Sequence, residues 1–572
     1  MPYRAPLSEF EYMFDAVVDL PRLTKTAKFE DTASADLVSA ILGEAGKLAQ
    51  EVLAPLQRNG DLNGARLENG VVRTSPGFGE GYAQIAEGGW NGMAALPENG
   101  GMGLPMTVTT AVNEMIGSAC LSLQLNPLMT QGQIEALEHH ASDELKAIYL
   151  PKLISGEWSG TMNLTEPSAG SDVGALSTKA VPNGDGTYAI SGQKIYISWG
   201  DNDFTGNVCH LVLARLPDGV AGTKGISLFM VPRNIPDENG EPGVANSLKV
   251  VSVEEKMGLH GSPTCVMEYA GATGWLVGEP HGGMKAMFTM MNNARLGVGV
   301  QGLSVAEAAY QHALAFALER KQGRSPVADG HGSIVDHADV RRMLLEMKAD
   351  VFAARAIALN CALAIDMGNA TGDADWNARA ALLTPINKAF GTDTGCRVAE
   401  TGVQVHGGMG YVEETGAAQY YRDVRVTAIY EGTNGIQAID LVARKMMDGG
   451  AAAFAIIDEI KANAAKAPAD LVDLAGAVDT AADTLREAVE ALVAQGELND
   501  RFAGAVPFLK GFARVLGGHY HLLAAQSDKG GAYRKLARFY ITRMLPEHVS
   551  LLAQSGLGAE DLYAFSLEDL AS

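Results

Sequence analysis

Cysteine is scarce in this chain. Its 572 residues hold five, at 120, 209, 265, 361 and 396, and no two stand in a Cys-x-x-Cys spacing. That spacing supplies neither a disulfide framework nor a zinc signature, and no metal site is expected. Positive charge is also short: 44 Lys and Arg face 67 Asp and Glu, a formal net charge of −23. A molecule so charged repels a phosphate backbone as a whole, which argues against nucleic acid as a partner. A nucleotide cofactor stays open, because such ligands are held by local arginines and backbone N–H groups. No apolar run approaches the ~18 residues a membrane span needs. Residues 1–10 contain no apolar signal core. Internal repeats and low-complexity segments are absent too. A cytoplasmic protein with no membrane partner is the expectation.

Hydrophobic residues make up 47% of the chain, with 66 Gly and 22 Pro, a globular composition. The length suits three or four packed domains. Residues 1–157 read as helical, with apolar periodicity through 10–20, 35–53 and 108–123 and glycine-rich loops at 76–81 and 97–104. In 158–282 the period shortens. Apolar segments at 188–190, 195–197, 210–214, 226–231 and 250–253 are bounded by Pro and Gly clusters, which indicates a β-barrel or sandwich. Helical period returns in 283–449. Met343, Met347, Val351, Ala354, Ala358, Cys361 and Ile365 form one stripe, and Leu303, Ala306, Tyr310, Ala313 and Ala317 a second, as in a helical bundle. Cys361 on this stripe reads as core. Gly449 and Gly450 look like a hinge into a last helical region, 450–572. There, 458–500 is predominantly acidic, whereas 501–543 carries Arg501, Lys510, Arg514, Lys529, Arg534, Lys535, Arg538 and Arg543 against only Asp528. Antiparallel helices pairing across opposite charge explain this division, and a patch for an anionic partner is the alternative. The fold class is α+β.

The stretch that organises the rest is 419–437, Gln-Tyr-Tyr-Arg-Asp-Val-Arg-Val-Thr-Ala-Ile-Tyr-Glu-Gly-Thr-Asn-Gly-Ile-Gln. An amphipathic run ends at Tyr430, one carboxylate follows at Glu431, and a new apolar run begins at Ile436. The order suits a helix end, a tight turn and a helix start, with glycines where the backbone must bend or approach a ligand. A lone glutamate at such a turn is placed as a general base facing a cleft. A surface carboxylate in a helix–helix loop is the ordinary alternative.

This stretch resembles the catalytic loop of the acyl-CoA dehydrogenases, whose Tyr-Glu-Gly-Thr signature carries the base that removes the substrate's α-proton. Five further motifs stand in that family's order. Residues 162–172, Met-Asn-Leu-Thr-Glu-Pro-Ser-Ala-Gly-Ser-Asp, closely resemble its Thr-Glu-Pro-x-Ala-Gly-Ser-Asp motif. The resemblance implies that Met162, Leu164 and Thr165 line the pyrimidine side of a flavin, and that Ser171 touches the flavin or the pantetheine of the substrate. Residues 192–199, Gly-Gln-Lys-Ile-Tyr-Ile-Ser-Trp, read as a turn and an alternating strand. They are similar to a family strand that would set Tyr196 against the isoalloxazine and the Ser198 hydroxyl near N5; Trp199 stands where many members have Asn. Asn292 and Arg295 open the first bundle helix. Their counterparts imply that Asn292 faces the pantetheine and that Arg295 lies by the catalytic loop, steadying Glu431 as carboxylate. Residues 318–324 resemble an Arg-x-x-Phe-Gly segment whose Arg holds the flavin pyrophosphate of a neighbouring subunit. The Phe is missing here, and Arg320 is preferred to Arg324. Residues 404–411, Gln-Val-His-Gly-Gly-Met-Gly-Tyr, match the motif that brings Gln404 and Gly408 to the adenosine and pyrophosphate, again across a subunit boundary. Thr433 would complete the flavin contacts.

What the resemblance implies is FAD-dependent α,β-dehydrogenation of an acyl-CoA to its trans-2-enoyl product. Glu431 takes the α-proton, hydride goes to flavin N5, and the Glu431 N–H with the flavin ribitol polarises the thioester oxygen. An electron-transfer flavoprotein is the expected acceptor, and a homodimer or dimer of dimers the expected assembly. The opening Tyr3-Arg-Ala-Pro-Leu and the helical extension further resemble the branch containing 3-methylthiopropionyl-CoA dehydrogenases. A medium- or long-chain acyl-CoA dehydrogenase, an acyl-CoA oxidase, and a DNA-associated flavoprotein of the same fold are the alternatives.

Overall fold

The computed structural model describes residues 3–327, 329–528 and 531–572, apart from the side chain of Asn292. Its first region holds α1 (Leu7–Met13), α2 (Ala35–Lys47), α3 (Ala54–Leu62), a hairpin of β1 (Arg66–Glu68) and β2 (Val71–Arg73), α4 (Phe78–Glu87), α5 (Met106–His140) and α6 (Asp143–Ile154). Ser142 caps α6 by accepting the Leu145 N–H. The glycine-rich stretch at 76–81, read from sequence as a loop, instead begins α4. Its glycine serves packing here, because a Cβ on Gly81 would lie 2.6 Å from a Leu56 methyl. Helix α5 breaks from helical geometry at Cys120 and is buried almost all round from Thr107 to Thr130.

The middle region contains β3 (Trp158–Asn163), β4 (Lys179–Pro182), β5 (Tyr188–Ser198), β6 (Asn207–Arg215), β7 (Ile226–Pro232), β8 (Asn234–Pro236), β9 (Pro242–Ala245), β10 (Leu248–Val253) and β11 (Thr264–Val277). Strands β11, β5, β4, β6 and β7 pair in that order, and β7 returns to β11, so the sheet closes into a barrel. Strand β3 runs parallel to β6 along the edge that β4 meets only at Arg215. The segments at 188–190 and 195–197 are one strand. Its alternation breaks at a bulge, where Cys265 pairs with Ile197 but Met267 with Lys194.

Three long helices follow: α7 (Gly283–Glu319), α8 (Ala338–Thr371) and α9 (Ala374–His406). Then come α10 (Gly408–Tyr411), α11 (Ala417–Val424) and α12 (Asn434–Ala443). Helices α7 and α9 approach at a glycine seam: a Cβ on Gly391 would lie 2.4 Å from the Gly299 carbonyl oxygen. The α8 stripe is buried up to Cys361 and half-buried at Ile365, yet the other positions from Ala349 to Ala364 are buried too, because helices cover α8 on several sides. Contrary to the reading that no run approaches a span, α8 is long and apolar enough to cross a membrane, but 94% of its apolar window is buried inside the protein.

The last region comprises α13 (Ala451–Ala464), α14 (Val472–Ala494), α15 (Leu498–Ala503), α16 (Ala505–Ser527), α17 (Ala532–Arg543), α18 (Glu547–Ser555), α19 (Glu560–Ala564) and α20 (Leu567–Ala571). Ile456, Leu485 and Leu516 share one apolar core with Phe352 and Leu382 of the bundle. Gly449 and Gly450, at φ 73 and 83, turn the chain into this region. The charge division is partly an ion-pair seam: Arg538 meets Asp473 at 2.6 Å and Arg534 meets Asp470. Arg514 joins α16 to Asp350 of α8 and to Glu547, each at 2.6 Å.

Candidate active site

Helix α11 and a 3-10 turn end at Ala428, and Thr433 caps α12 by accepting the Ile436 N–H. Glu431 sits between them at φ 55 and Gly432 at φ 84. A left-handed glutamate costs about 1–2 kcal/mol. The turn is held from both sides: Tyr430 donates its hydroxyl proton to Gln301 of α7, and Gln437 donates to the Glu431 carbonyl at 3.1 Å. Among the described residues the Glu431 N–H has no acceptor.

Burial pushes the Glu431 carboxyl up to about 7, against the pull of Arg295 and Lys388. Arg295 comes from α7 and Lys388 from α9, at the level of the glycine seam, and the Arg295 Nε is buried without a partner. Lys388, fully buried, was not singled out in the sequence, where it lies inside an apolar helical run with no motif around it. Its Nζ donates to Asn434 Oδ1 at 2.9 Å, and burial lowers its own pKa to about 8.

The other half of the candidate site is the 162–172 loop where it meets the end of β5. Glu166, buried, accepts five hydrogen bonds: from the N–H and hydroxyl of Ser177, the N–H and hydroxyl of Thr178, and Lys194 Nζ at 2.9 Å. Lys194 also donates to the Leu164 carbonyl at 2.9 Å, and Ile195 N–H to the Thr165 carbonyl at 2.9 Å. This pin carries Met162, Leu164 and Thr165 beside the end of β5. Tyr196 stands in the β5 bulge at φ 60, 61% exposed, and Ser198 is half-buried. Ser171 is exposed on the loop. Trp199 turns away: its Nε1 donates to the Ser122 carbonyl at 3.1 Å, and its ring packs against Phe78 of the helical region and Phe204 of the loop before β6. The two halves are tied through the β10–β11 loop, where Trp199 N–H donates to Pro263 and Leu259 N–H to Asp423 of α11 at 2.6 Å.

Arg320, Gln404 and Gly408 lie elsewhere. Arg320 ends α7, Gln404 is in the last turn of α9, and rings of Phe316 and His406 (4.4 Å apart) join those two ends. At 1.5 Å per residue, Gln404 is about 24 Å along α9 from Lys388, and Arg320 about 37 Å along α7 from Arg295. All three are exposed. A Cβ on Gly408 would meet nothing in this chain, so the bare backbone there serves no internal contact. Asn292 lies in α7, and its side chain is outside the described residues.

Both half-sites fit FAD: a pinned loop with hydroxyls beside an outward aromatic for a flavin ring, and exposed arginine with open glycine backbone for a pyrophosphate. Comparison with known proteins agrees. Family models described as acyl-CoA dehydrogenase N-terminal, middle and C-terminal domains match residues 39–157, 161–271 and 281–447, and an acetyl-CoA dehydrogenase C-terminal-like domain matches 456–566. The 3-methylmercaptopropionyl-CoA dehydrogenase of Ruegeria pomeroyi is 44% identical over 526 residues, covering 89% of this chain and 88% of the relative. A Caenorhabditis elegans structure, ACDH-11 in complex with C11-CoA, superposes with TM-score 0.79 at 21% identity, covering 95% of this chain and 92% of that one. An acyl-CoA dehydrogenase from Bacillus anthracis complexed with FAD has TM-score 0.75 at 20% identity, covering 96% and 93%. Helices, barrel and bundle in this order, with a half-buried glutamate at the turn between α11 and α12, make this chain a member of the acyl-CoA dehydrogenase family and an FAD-dependent oxidoreductase.

Proposed function

We propose that this dehydrogenase converts 3-methylthiopropionyl-CoA to 3-methylthioacryloyl-CoA, with Glu431 as the base. The 44% identity to the Ruegeria pomeroyi enzyme, across nearly the whole chain, supports that substrate. The observation that carries the base assignment is the Glu431 turn: a carboxyl in a left-handed conformation, raised to about 7, beside two cations. A base of that pKa is half ionised near neutral pH and strong enough to accept a proton activated by a thioester.

The residues divide the work. Glu431 removes the α-proton, and its own N–H, free of other acceptors, is available to the thioester oxygen as negative charge develops there. Met162, Leu164, Thr165, Tyr196, Ser198 and Thr433 form the surface for the flavin ring. Ser171 and Arg295 face the acyl-CoA. FAD, when bound, supplies the acceptor for the hydride leaving the β-carbon. Arg320, Gln404 and Gly408, too far along their helices to join this group, hold the pyrophosphate and adenosine of a second copy's FAD, which makes a homodimer or dimer of dimers the working unit. An electron-transfer flavoprotein takes the electrons onward.

The test is to add a panel of acyl-CoAs to the purified holoenzyme, anaerobically, and follow bleaching of the flavin. Fastest bleaching with 3-methylthiopropionyl-CoA supports the substrate; a preference for butyryl or longer chains moves it. Glu431→Gln keeps FAD and loses enoyl formation, and normal turnover in that variant removes Glu431 from its role.

A further inference from the structure

Lys388 is a fully buried ammonium whose hydrogen-bonded partner is an amide and not a carboxylate. Burying a charge without a contact ion is costly, and a methionine or leucine would fill the same space in α9 without that cost. The ammonium is aimed at one element. Its acceptor, Asn434, is the first residue of α12 and lies three positions after Glu431. The Asn434 amide is oriented by further bonds: Nδ2 donates to Asp393 Oδ1 at 2.7 Å and to Thr392 Oγ1 at 3.0 Å. Asp393 is in turn steadied by Lys510 of α16 at 3.4 Å. A line of polar contacts therefore runs from the C-terminal helices, through α9, to the turn that carries the base.

We propose that Lys388 is a positioning residue for the catalytic base, holding the Glu431 turn through Asn434 and keeping Glu431 ionised through its buried charge. The proposal rests on the assignment of Glu431 as base. The charged groups facing Glu431 are Arg295 from α7 and Lys388 from α9, with Asp393 facing Lys388 from its own helix. Arg295 has its Nε unpartnered, so Lys388 is the cation of the two that is mechanically coupled to the loop. Both favour the carboxylate against the desolvation that opposes it, so removing either charge moves the Glu431 titration upward.

The experiment compares Lys388→Met, Lys388→Gln and Lys388→Arg in the holoenzyme, reading FAD content, the pH profile of kcat/KM, and the Glu431 carboxylate infrared band, assigned by difference against Glu431→Gln. Met and Gln should retain FAD and shift both the acid limb and the band upward by about one pH unit. From a midpoint near 7, that shift lowers kcat/KM at pH 7 about fivefold. Arg should restore the wild-type midpoint. An unmoved limb and band in folded Met or Gln variants overturns the proposal. So does loss of fold or FAD in both that Arg fails to restore, because the lysine is then architectural. If Glu431→Gln turns over normally, it is the base assignment that fails; if that variant is inactive and the limb is unmoved, only the role of Lys388 fails.

Discussion

Replacing Lys194 by methionine tests how the flavin loop is held. Lys194 and Glu166 are both buried, 0% and 2% exposed at the side chain, and meet at 2.9 Å. Burial raises the Glu166 carboxyl, but Lys194 and the Thr178 and Ser177 donors outweigh it and leave it at about 2. Against an ordinary value near 4.3, that shift is worth about 3 kcal/mol of stability. It is present above pH ~4.3 and lost as pH falls through the folded value. Burial lowers Lys194 to about 8 despite Glu166. Its depression from ~10.4 costs about 3 kcal/mol wherever the lysine is charged, below pH ~8, and vanishes above pH ~10.4. The two shifts contain the same Lys194–Glu166 attraction and so do not add, but either partner alone is a liability. Lys194→Met should cost about 3–5 kcal/mol in urea unfolding, because it leaves the carboxylate buried and uncompensated. Glu166→Gln added to it should cost less than the two separate losses combined, with a coupling of about 2–3 kcal/mol. FAD content should fall as well, since the Leu164 carbonyl loses its donor beside the flavin surface. A single-variant loss below ~1 kcal/mol, or simple additivity, would refute the idea that this ion pair sets the loop.

Two further outcomes follow from the site. The acid limb of kcat/KM should lie near pH 7, with about a tenfold fall from pH 8 to pH 6, because Glu431 as the proposed base must be ionised and its folded pKa is raised; a flat profile down to pH 5.5 contradicts the raised value. Arg320→Ala should elute from gel filtration depleted of flavin while keeping its fold, since Arg320 is exposed at the end of α7 and packs against little; yellow protein with unchanged FAD content counts against the pyrophosphate contact.

Much of the site was legible because its residues act locally. Tyr430 to Gly435 must end one helix, place a carboxylate and start another, and those demands are written into six consecutive residues. The 162–172 loop was legible for the same reason: Pro167 and Gly170 shape its turn and Glu166 accepts from Ser177 and Thr178 a few residues on. The strands at 210–214 and 226–231 carry the β-branched, apolar signature of segments covered on both faces. Strand β11 was invisible at 14 residues, because glycines and alanines interrupt it and its pairing with β5, β7 and β10 supplies what propensity does not. The 194–198 strand was expected to alternate, but a bulge whose cause is the register of β11 turns Tyr196 outward.

Sequence by itself determined the order of helical, β and helical regions and the turn at Glu431, since each depends on neighbours within about ten residues. Tertiary structure alone decided that Trp199 packs into the helical region, that the segment after Gly450 joins the bundle's core, and that Lys388 bonds to Asn434 beside the Glu431 turn. Those outcomes depend on residues 40 or more positions apart brought together by the approach of α7 to α9 and the closure of the barrel. A charge there changes pKa values through space, and no local pattern records who its neighbours will be.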